Sequence, residues 1–435
     1  MNHKGTPIKE INAYIYNQKI GTLILYENII YFEYDKKFKD SNLEISPIKL
    51  NTKIIKGLYT SLDNINLYNG IAGIFYDSLP DKHGMAFIER YFEGKGVSLR
   101  DISLLDRLAF IGDRGMGAIE YKPKEHQEND DIRDVMDAKS TYEDMKSILS
   151  SKENILSINK LMNIIDSVSP VGGGRPKMLI TYNKKKNSIK FNNKILEEGY
   201  KRSIIKFDEI YYENESLDFT KIEYLYMKMA EECGITIPPI VLYKEDNTHH
   251  LIIERFDRDK DDQKIHISTA SGLMHKNIAI PKISSYEELF LFTERICTDK
   301  HQAVEELFRR MIFNALSFNY DDHLKNFSFS MDRDGKWSLT PAYDITYSKG
   351  LAKEHVTTIN GKGKDFIITD FLKIAKITLI KKSKAIAIVK SISTKMKEFE
   401  LRANKININA ELIQECSEDI NIQLNLLTEE FKLLN

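Results

Sequence analysis

The stretch from residue 304 to residue 344 constrains this chain more than any other. Val304, Leu307, Phe308, Met311, Ile312 and Ala315 recur at helical spacing and predict a strongly buried helix. It runs directly into Asn319-Tyr320-Asp321-Asp322-His323-Leu324-Lys325-Asn326. Residues 327–331, the turn Asp332-Arg333-Asp334-Gly335 and residues 336–340 then predict a β-hairpin, with Asp344 just beyond it. A hairpin returns the chain to its origin, so Asp344 is expected near Asn326.

Elsewhere the pattern is mixed, and an α+β fold is expected. Residues 11–16, 21–25 and 29–34 are β-branched and aromatic runs broken at Asn17-Gln18 and Glu27-Asn28, so the first 120 residues start β-rich. Two Gly-rich segments, 69–73 and 111–117, lack dinucleotide-loop spacing and read as turns and close packing. A polar stretch at 122–131 reads as a linker. Strands are predicted at 178–182, 202–207, 240–243 and 251–256, and a helix at 221–233 closed by Gly234. From Phe366 onward the chain reads as helical. The expected divisions are a β-rich subdomain over 1–121, a linker and helical segment over 122–165, a mixed segment over 166–258 and a mainly helical segment over 259–435.

Composition narrows the function classes. The 435 residues carry 63 Lys and Arg against 64 Asp and Glu, a formal charge of -1, which is no general nucleic-acid surface. Cys233, Cys297 and Cys416 are odd in number and far apart, which gives no disulfide framework and points to a reducing cytoplasm. Neither a signal-peptide pattern nor an apolar run long enough to span a bilayer is present, so no membrane role is expected.

Phosphoryl transfer from ATP needs a carboxylate that orients the acceptor and oxygen ligands for Mg²⁺. Asp321 and Asn326 have the five-residue separation that protein kinases use on the catalytic loop, and Asp344 follows as a second metal ligand would. The competing reading is an Asp-rich surface turn. Lys206 sits among apolar residues in a predicted strand, where it either projects over phosphates or faces outward. Glu223 either pairs with Lys206 or closes a capping box with Thr220; the first holds if Asp218 is the N-cap. Gly172-Gly173-Gly174-Arg175-Pro176-Lys177 presents backbone N–H groups and cations, but Met178 and Pro176 exclude a Walker loop. Asp332 to Gly335 lacks the Glu of a calcium loop and reads as a hairpin turn. No zincin spacing and no Gly-x-Ser-x-Gly elbow occur.

Taken together these residues resemble the HipA kinases. Ser169-Pro170-Val171-Gly172-Gly173-Gly174-Arg175-Pro176-Lys177, Ile205-Lys206-Phe207 and Ile253-Glu254-Arg255-Phe256-Asp257-Arg258 carry the resemblance. So do residues 319–326, Leu339-Thr340-Pro341-Ala342-Tyr343-Asp344, Asn360-Gly361-Lys362-Gly363-Lys364-Asp365, Asp77-Ser78-Leu79-Pro80-Asp81 and Gly117-Ala118. His266-Ile267-Ser268-Thr269-Ala270-Ser271 resembles one branch of that family only.

The resemblance implies a kinase-like, two-lobed α+β fold with a β-rich N-terminal subdomain and a mainly helical C-terminal lobe. It implies Asp321 as the catalytic carboxylate and Asn326 and Asp344 as Mg²⁺ ligands. For ATP it implies Lys206, Glu254, Phe256, Gly172, Gly173, Gly174, Lys177, His323 and Lys325, with Glu223 as the helix partner of Lys206. Ser169, or failing that Ser167, is the implied autophosphorylation site. The function implied is a cytoplasmic Ser/Thr kinase toxin that phosphorylates an aminoacyl-tRNA synthetase. Its implied partner is a HipB-like helix-turn-helix antitoxin, through which alone it reaches DNA. A catalytically silent corepressor is the alternative, and the intact Asp321, Asn326, Asp344 and Lys206 speak against it. A kinase acting on a small metabolite is a third reading.

Overall fold

The computed structural model of the chain describes residues 7–62, 69–80, 82–123, 142–143, 177–191, 195–208, 210–211, 215–246, 248–278, 280, 282–350 and 353–433. Ser167, Ser169, Gly172, Gly173 and Gly174 lie outside the described residues, as does most of 122–165. The chain forms two compact units. The first joins Met1–Phe207, Ile252–His275 and Ser330–Gly335; the second joins Asp208–Leu251, Lys276–Phe329 and Lys336–Asn435. The architecture is α+β, as the sequence led one to expect.

In the first unit, strands Glu10–Ile15, Gln18–Tyr26 and Ile29–Tyr34 form an antiparallel meander, and Ile119–Lys122 pairs with the free side of Glu10–Ile15. Ile11, Ala13 and Ile15 face the core at period two. Both reversals are two-residue turns, Tyr16-Asn17 and Glu27-Asn28, with φ of 50°, 64°, 47° and 63°. Such mirror-image turns match the right-handed strand twist, which is why two-residue hairpins favour them. The first turn therefore lies one residue earlier than the sequence reading placed it, and Gln18 pairs with Ile15. A second antiparallel set comprises Lys177–Asn183, Ser188–Phe191 and Lys201–Lys206. The Arg202 carbonyl accepts the Arg255 N–H at 2.8 Å, which continues this set into the segment beginning at Ile252.

Three N-terminal features clasp residues 252–275. The Gly117 N–H donates to Asp257 Oδ2 at 2.9 Å, and Gly117 has φ 76°. A Cβ there would lie 2.9 Å from Ile267 N, so glycine is required on two counts. Asp77 accepts from Ser268 Oγ (2.7 Å), Thr269 N–H (2.6 Å) and Thr269 Oγ1 (2.9 Å) at the start of helix Ala270–Met274. At Gly73 a Cβ would sit 2.2 Å from the Gly272 carbonyl oxygen, so this backbone approach is closed to any other residue. Both Gly-rich segments thus serve as turns and close packing.

His266 in this unit is wholly buried, and its Nε2 lies 3.3 Å from the Ile45 carbonyl. Burial pulls its pKa down from 6.5 to about 4, against the opposing pull of that carbonyl. The stabilising contribution of the neutral ring is fully present above the unfolded value and lost as pH falls through the folded one. The depression corresponds to about 3 kcal/mol. Urea unfolding at pH 7 and pH 4.5 is expected to show this loss in the wild type and a flatter pH dependence in His266→Gln; equal slopes would refute it.

The second unit is mainly helical. Phe219–Glu232, Tyr286–Ile296, Lys300–Leu316, Ile368–Ile377, Lys382–Met396, Phe399–Lys405 and Ala410–Leu433 are its principal helices. Tyr226 joins three parts of this core. Its ring meets Phe313 and Phe399 edge-on, and its hydroxyl donates to the Ser317 carbonyl at 2.9 Å. The first helix starts at Asp218, not Thr220. Thr220 Oγ1 donates instead to the His249 carbonyl at 2.6 Å, so no capping box forms. The Asp218 carboxylate binds Lys221 Nζ and the Asn409 N–H, both at 2.8 Å. Among the described residues no helix is long and apolar enough to cross a membrane.

Candidate functional site

The predicted buried helix is present as Lys300–Leu316, capped by Ser317. Asn319 Nδ2 donates back to Asn314 Oδ1 at 3.1 Å, and the Tyr320 N–H donates to the Ser348 carbonyl at 2.9 Å. The chain then delivers two adjacent carboxylates into opposite environments. The Asp321 side chain is 56% exposed, and the Asp322 side chain is 0% exposed. His323 Nε2 stands 3.8 Å from Asp321 Oδ1, and Leu324–Asn326 form a short 3₁₀ turn.

Asn326 Nδ2 donates to the Asp321 carbonyl at 2.8 Å and folds the loop onto itself. The hairpin strands Ser328–Met331 and Trp337–Leu339 follow, and the Thr340 N–H donates to the Ser328 carbonyl at 3.0 Å. Past the hairpin, Tyr343 OH donates to the Lys325 carbonyl at 2.7 Å and also bonds Ser328 Oγ. The residue before Asp344 is thus tied to the residue before Asn326. Arg310 and Thr236 hold the same segment from behind. Arg310 Nη2 donates to the Thr340 carbonyl at 2.6 Å, and the Ala342 N–H donates to the Thr236 carbonyl at 2.8 Å. Burial lowers the Arg310 pKa while Glu306 pairs with its guanidinium at 2.8 Å. Asp344 itself has φ 51°, a left-handed conformation that non-glycine residues adopt mainly in over-determined local structure.

In the first unit, Lys206 is buried at 6% exposure, so the outward-facing reading is excluded. The ladder places Lys177 directly opposite it, equally buried. Like charges facing each other across a ladder are destabilising unless anionic groups stand by them. Glu254 ends the strand Thr248–Glu254 and Phe256 follows, both half-buried. Arg255, between them, forks onto Asp257 with Nε to Oδ1 at 2.8 Å and Nη2 to Oδ2 at 2.6 Å. In the second unit, Glu223 is buried on helix Phe219–Glu232.

Comparison with known proteins settles the family. The HipA-like C-terminal domain pattern matches residues 169–399, and the HipA N-terminal domain pattern matches residues 11–122. The chain belongs to the HipA family. A protein named "Putative kinase" from Haemophilus influenzae is 32% identical over 135 residues, covering 28% of this chain and 39% of that protein. "Putative kinase Y4mE" from Sinorhizobium fredii is 25% identical over 142 residues, covering 29% and 32%. These matches thus span well under half the length of the curated relatives. The HipA chain in the Shewanella oneidensis MR-1 HipA, HipB and operator DNA complex superposes with a TM-score of 0.67 at 17% identity. That match covers 96% of this chain and 97% of the other, a likeness of fold.

Several residues of this HipA-family chain went unassigned from the sequence. Asp322 accepts from Tyr286 OH (2.9 Å), His355 Nδ1 (2.8 Å) and the Thr357 N–H (3.2 Å), and its carbonyl accepts from Thr357 Oγ1 at 2.6 Å. Burial, reinforced by Asp322, pushes the Tyr286 hydroxyl well above its ordinary pKa. Asp257, Tyr343 and Arg310 were likewise passed over. The only local signal for Tyr343 was its place before Asp344.

Among the described residues no three His, Cys, Asp or Glu side chains cluster to hold a metal ion. Asn326 and Asp344 are a different donor set. The Asn326 amide nitrogen is engaged by the Asp321 carbonyl, which leaves Oδ1 as the amide atom for a cation. An amide oxygen and a carboxylate are hard donors of the kind Mg²⁺ takes when phosphates and waters complete its shell. The residues fit that ion.

Proposed function

We propose that the chain is an ATP- and Mg²⁺-dependent protein Ser/Thr kinase acting as the toxin of a toxin–antitoxin pair. The observation that carries this reading is the tie from Tyr343 OH to the Lys325 carbonyl. It ties the residue before Asp344 to the residue before Asn326, while Asp321 stays exposed on the same loop. Asp321 accepts a hydrogen bond from the acceptor hydroxyl and orients it for in-line attack. When bound at Asn326 and Asp344, Mg²⁺ supplies positive charge against the phosphate oxygens. Lys206 and Lys177 bind phosphate oxygens. Glu254 and Phe256 bind the adenine through their backbone groups, and His323 and Lys325 approach the phosphates from the catalytic loop.

The relatives named as kinases support the reaction class, and the HipA, HipB and operator DNA complex supports a helix-turn-helix antitoxin as partner, with DNA reached through it. The protein substrate in this reading is an aminoacyl-tRNA synthetase, encountered in the cytoplasm. Ser169, or else Ser167, just ahead of the Gly172 to Lys177 run, is autophosphorylated.

Incubation with ATP and Mg²⁺ followed by intact-mass measurement and peptide mapping tests this. A gain of one phosphoryl group between residues 167 and 177 is the expected result. No phosphate after incubation, and none on the purified protein, would overturn autophosphorylation.

A further inference from the structure

Asp321 and Asp322 are neighbours, yet one faces solvent and the other is sealed in the core. Three residues from two separate parts of the chain fix the sealed carboxylate. Tyr286 begins helix Tyr286–Ile296, Thr357 lies in strand Thr357–Thr358, and His355 lies just before that strand. Asn314, on helix Lys300–Leu316, donates through Nδ2 to Tyr286 OH at 3.0 Å and extends the network to a third element. Among the described residues every group that hydrogen-bonds the Asp322 carboxylate can donate, His355 in its Nδ1-protonated form, so a carboxylate satisfies all of them.

His355 is the least expected member. Its ring packs 4.4 Å from Tyr320 and 5.2 Å from Phe366, centroid to centroid, and it is buried. Its Nδ1 faces Asp322, while its Nε2 is buried with no hydrogen-bond partner among the described residues. Leaving a ring nitrogen unsatisfied in the core is unfavourable. An apolar ring would fill the same space without that cost, so the retained function is the Nδ1 bond to Asp322.

We propose that Asp322 and His355 form a positioning pair, which fixes the backbone at residues 321–322 and thereby the direction of the Asp321 carboxylate during phosphoryl transfer. This rests on the kinase reading of Asp321. A rotation of the peptide joining the two Asp residues would swing Asp321 off the acceptor hydroxyl. A misplacement of about 1 Å costs on the order of 10² in rate. Nucleotide affinity is unaffected, because neither member of the pair touches ATP in this reading.

The test compares His355→Phe, which keeps the ring and removes the donor, with His355→Asn, whose amide nitrogen takes the place of Nδ1. Thr357→Val is a milder third variant that removes only the donor to the Asp322 carbonyl. Each is measured for melting temperature, calorimetric affinity for a non-hydrolysable ATP analogue with Mg²⁺, and kcat. His355→Phe is expected to lose on the order of 10² in kcat with analogue affinity within about twofold of wild type. His355→Asn recovers most of that loss, and Thr357→Val loses about tenfold with KM for ATP unchanged.

If His355→Phe does not fold, Thr357→Val decides. Wild-type kcat in the folded variants would overturn the pair's role. So would a loss of kcat that tracks analogue affinity or melting temperature and that Asn does not rescue. A wild-type protein that binds ATP and transfers no phosphate, even to a candidate synthetase, overturns the kinase reading itself. The two failures are thus distinguishable.

Discussion

Asp321→Asn is expected to abolish phosphoryl transfer, by at least on the order of 10³-fold, while leaving the fold unchanged. The side chain is 56% exposed, and Asn has nearly the same shape. The loop bond at this residue uses the Asp321 carbonyl, which accepts Asn326 Nδ2 at 2.8 Å and survives the substitution. A surface change of this kind shifts stability by about 0.5 kcal/mol or less. What is lost is the anionic oxygen that, in the proposed mechanism, accepts from the acceptor hydroxyl, because one of the two carboxamide termini is a donor and the other is neutral. Thermal unfolding together with single-turnover transfer from ATP separates the two effects. Wild-type turnover by the variant would remove Asp321 from the reaction. The same change one residue on, Asp322→Asn, is expected to act through the fold, because its amide would face a hydrogen-bond donor in the core.

That contrast shows what the sequence carried and what it did not. The helix before the loop and the hairpin after it were legible because periodicity and turn chemistry are local. Their juxtaposition follows from geometry alone, and the Tyr343 bond to Lys325 realises it. Which of two adjacent Asp residues would be buried was not legible. The donors that seal Asp322 come from Tyr286, His355 and Thr357, distant in sequence and without a common spacing. The Glu223 ambiguity had a similar origin. Thr220 and Glu223 have the spacing of a capping box, but the His249 carbonyl takes the Thr220 hydroxyl and Asp218 begins the helix. Lys206 was flagged from its apolar neighbours. Its opposition to Lys177 is a property of register, which no single strand reveals. The first unit draws in Ile252–His275 and Ser330–Gly335, and nothing local announces such discontinuous membership.

Asp257→Asn is expected to be the most destabilising single change in the first unit. The Asp257 carboxylate is fully buried and gathers Arg255 Nε and Nη2, Arg258 Nη1 at 2.9 Å and the Gly117 N–H. Burial works to raise its pKa, yet the two guanidiniums, Arg255 foremost, and the Gly117 N–H hold it at about 2. Arg258 is in turn depressed to about 10, chiefly by burial. Asn would leave two crowded guanidiniums without their shared anion and turn an amide donor toward one of them. Breaking such a buried pair costs about 3–5 kcal/mol, far more than the pair's net worth, because the remaining charge stays buried. For a unit of this size that is a fall of about 10 °C in the melting transition. The consequence extends to the proposed nucleotide site, since Glu254 and Phe256 flank the Arg255 that Asp257 holds. Affinity for an ATP analogue is therefore expected to fall severalfold in the folded variant at low temperature. Calorimetric unfolding and analogue titration measure both. An unchanged transition would refute the anchoring role of Asp257, and a lowered transition with unchanged affinity would detach the adenine contact from this part of the chain.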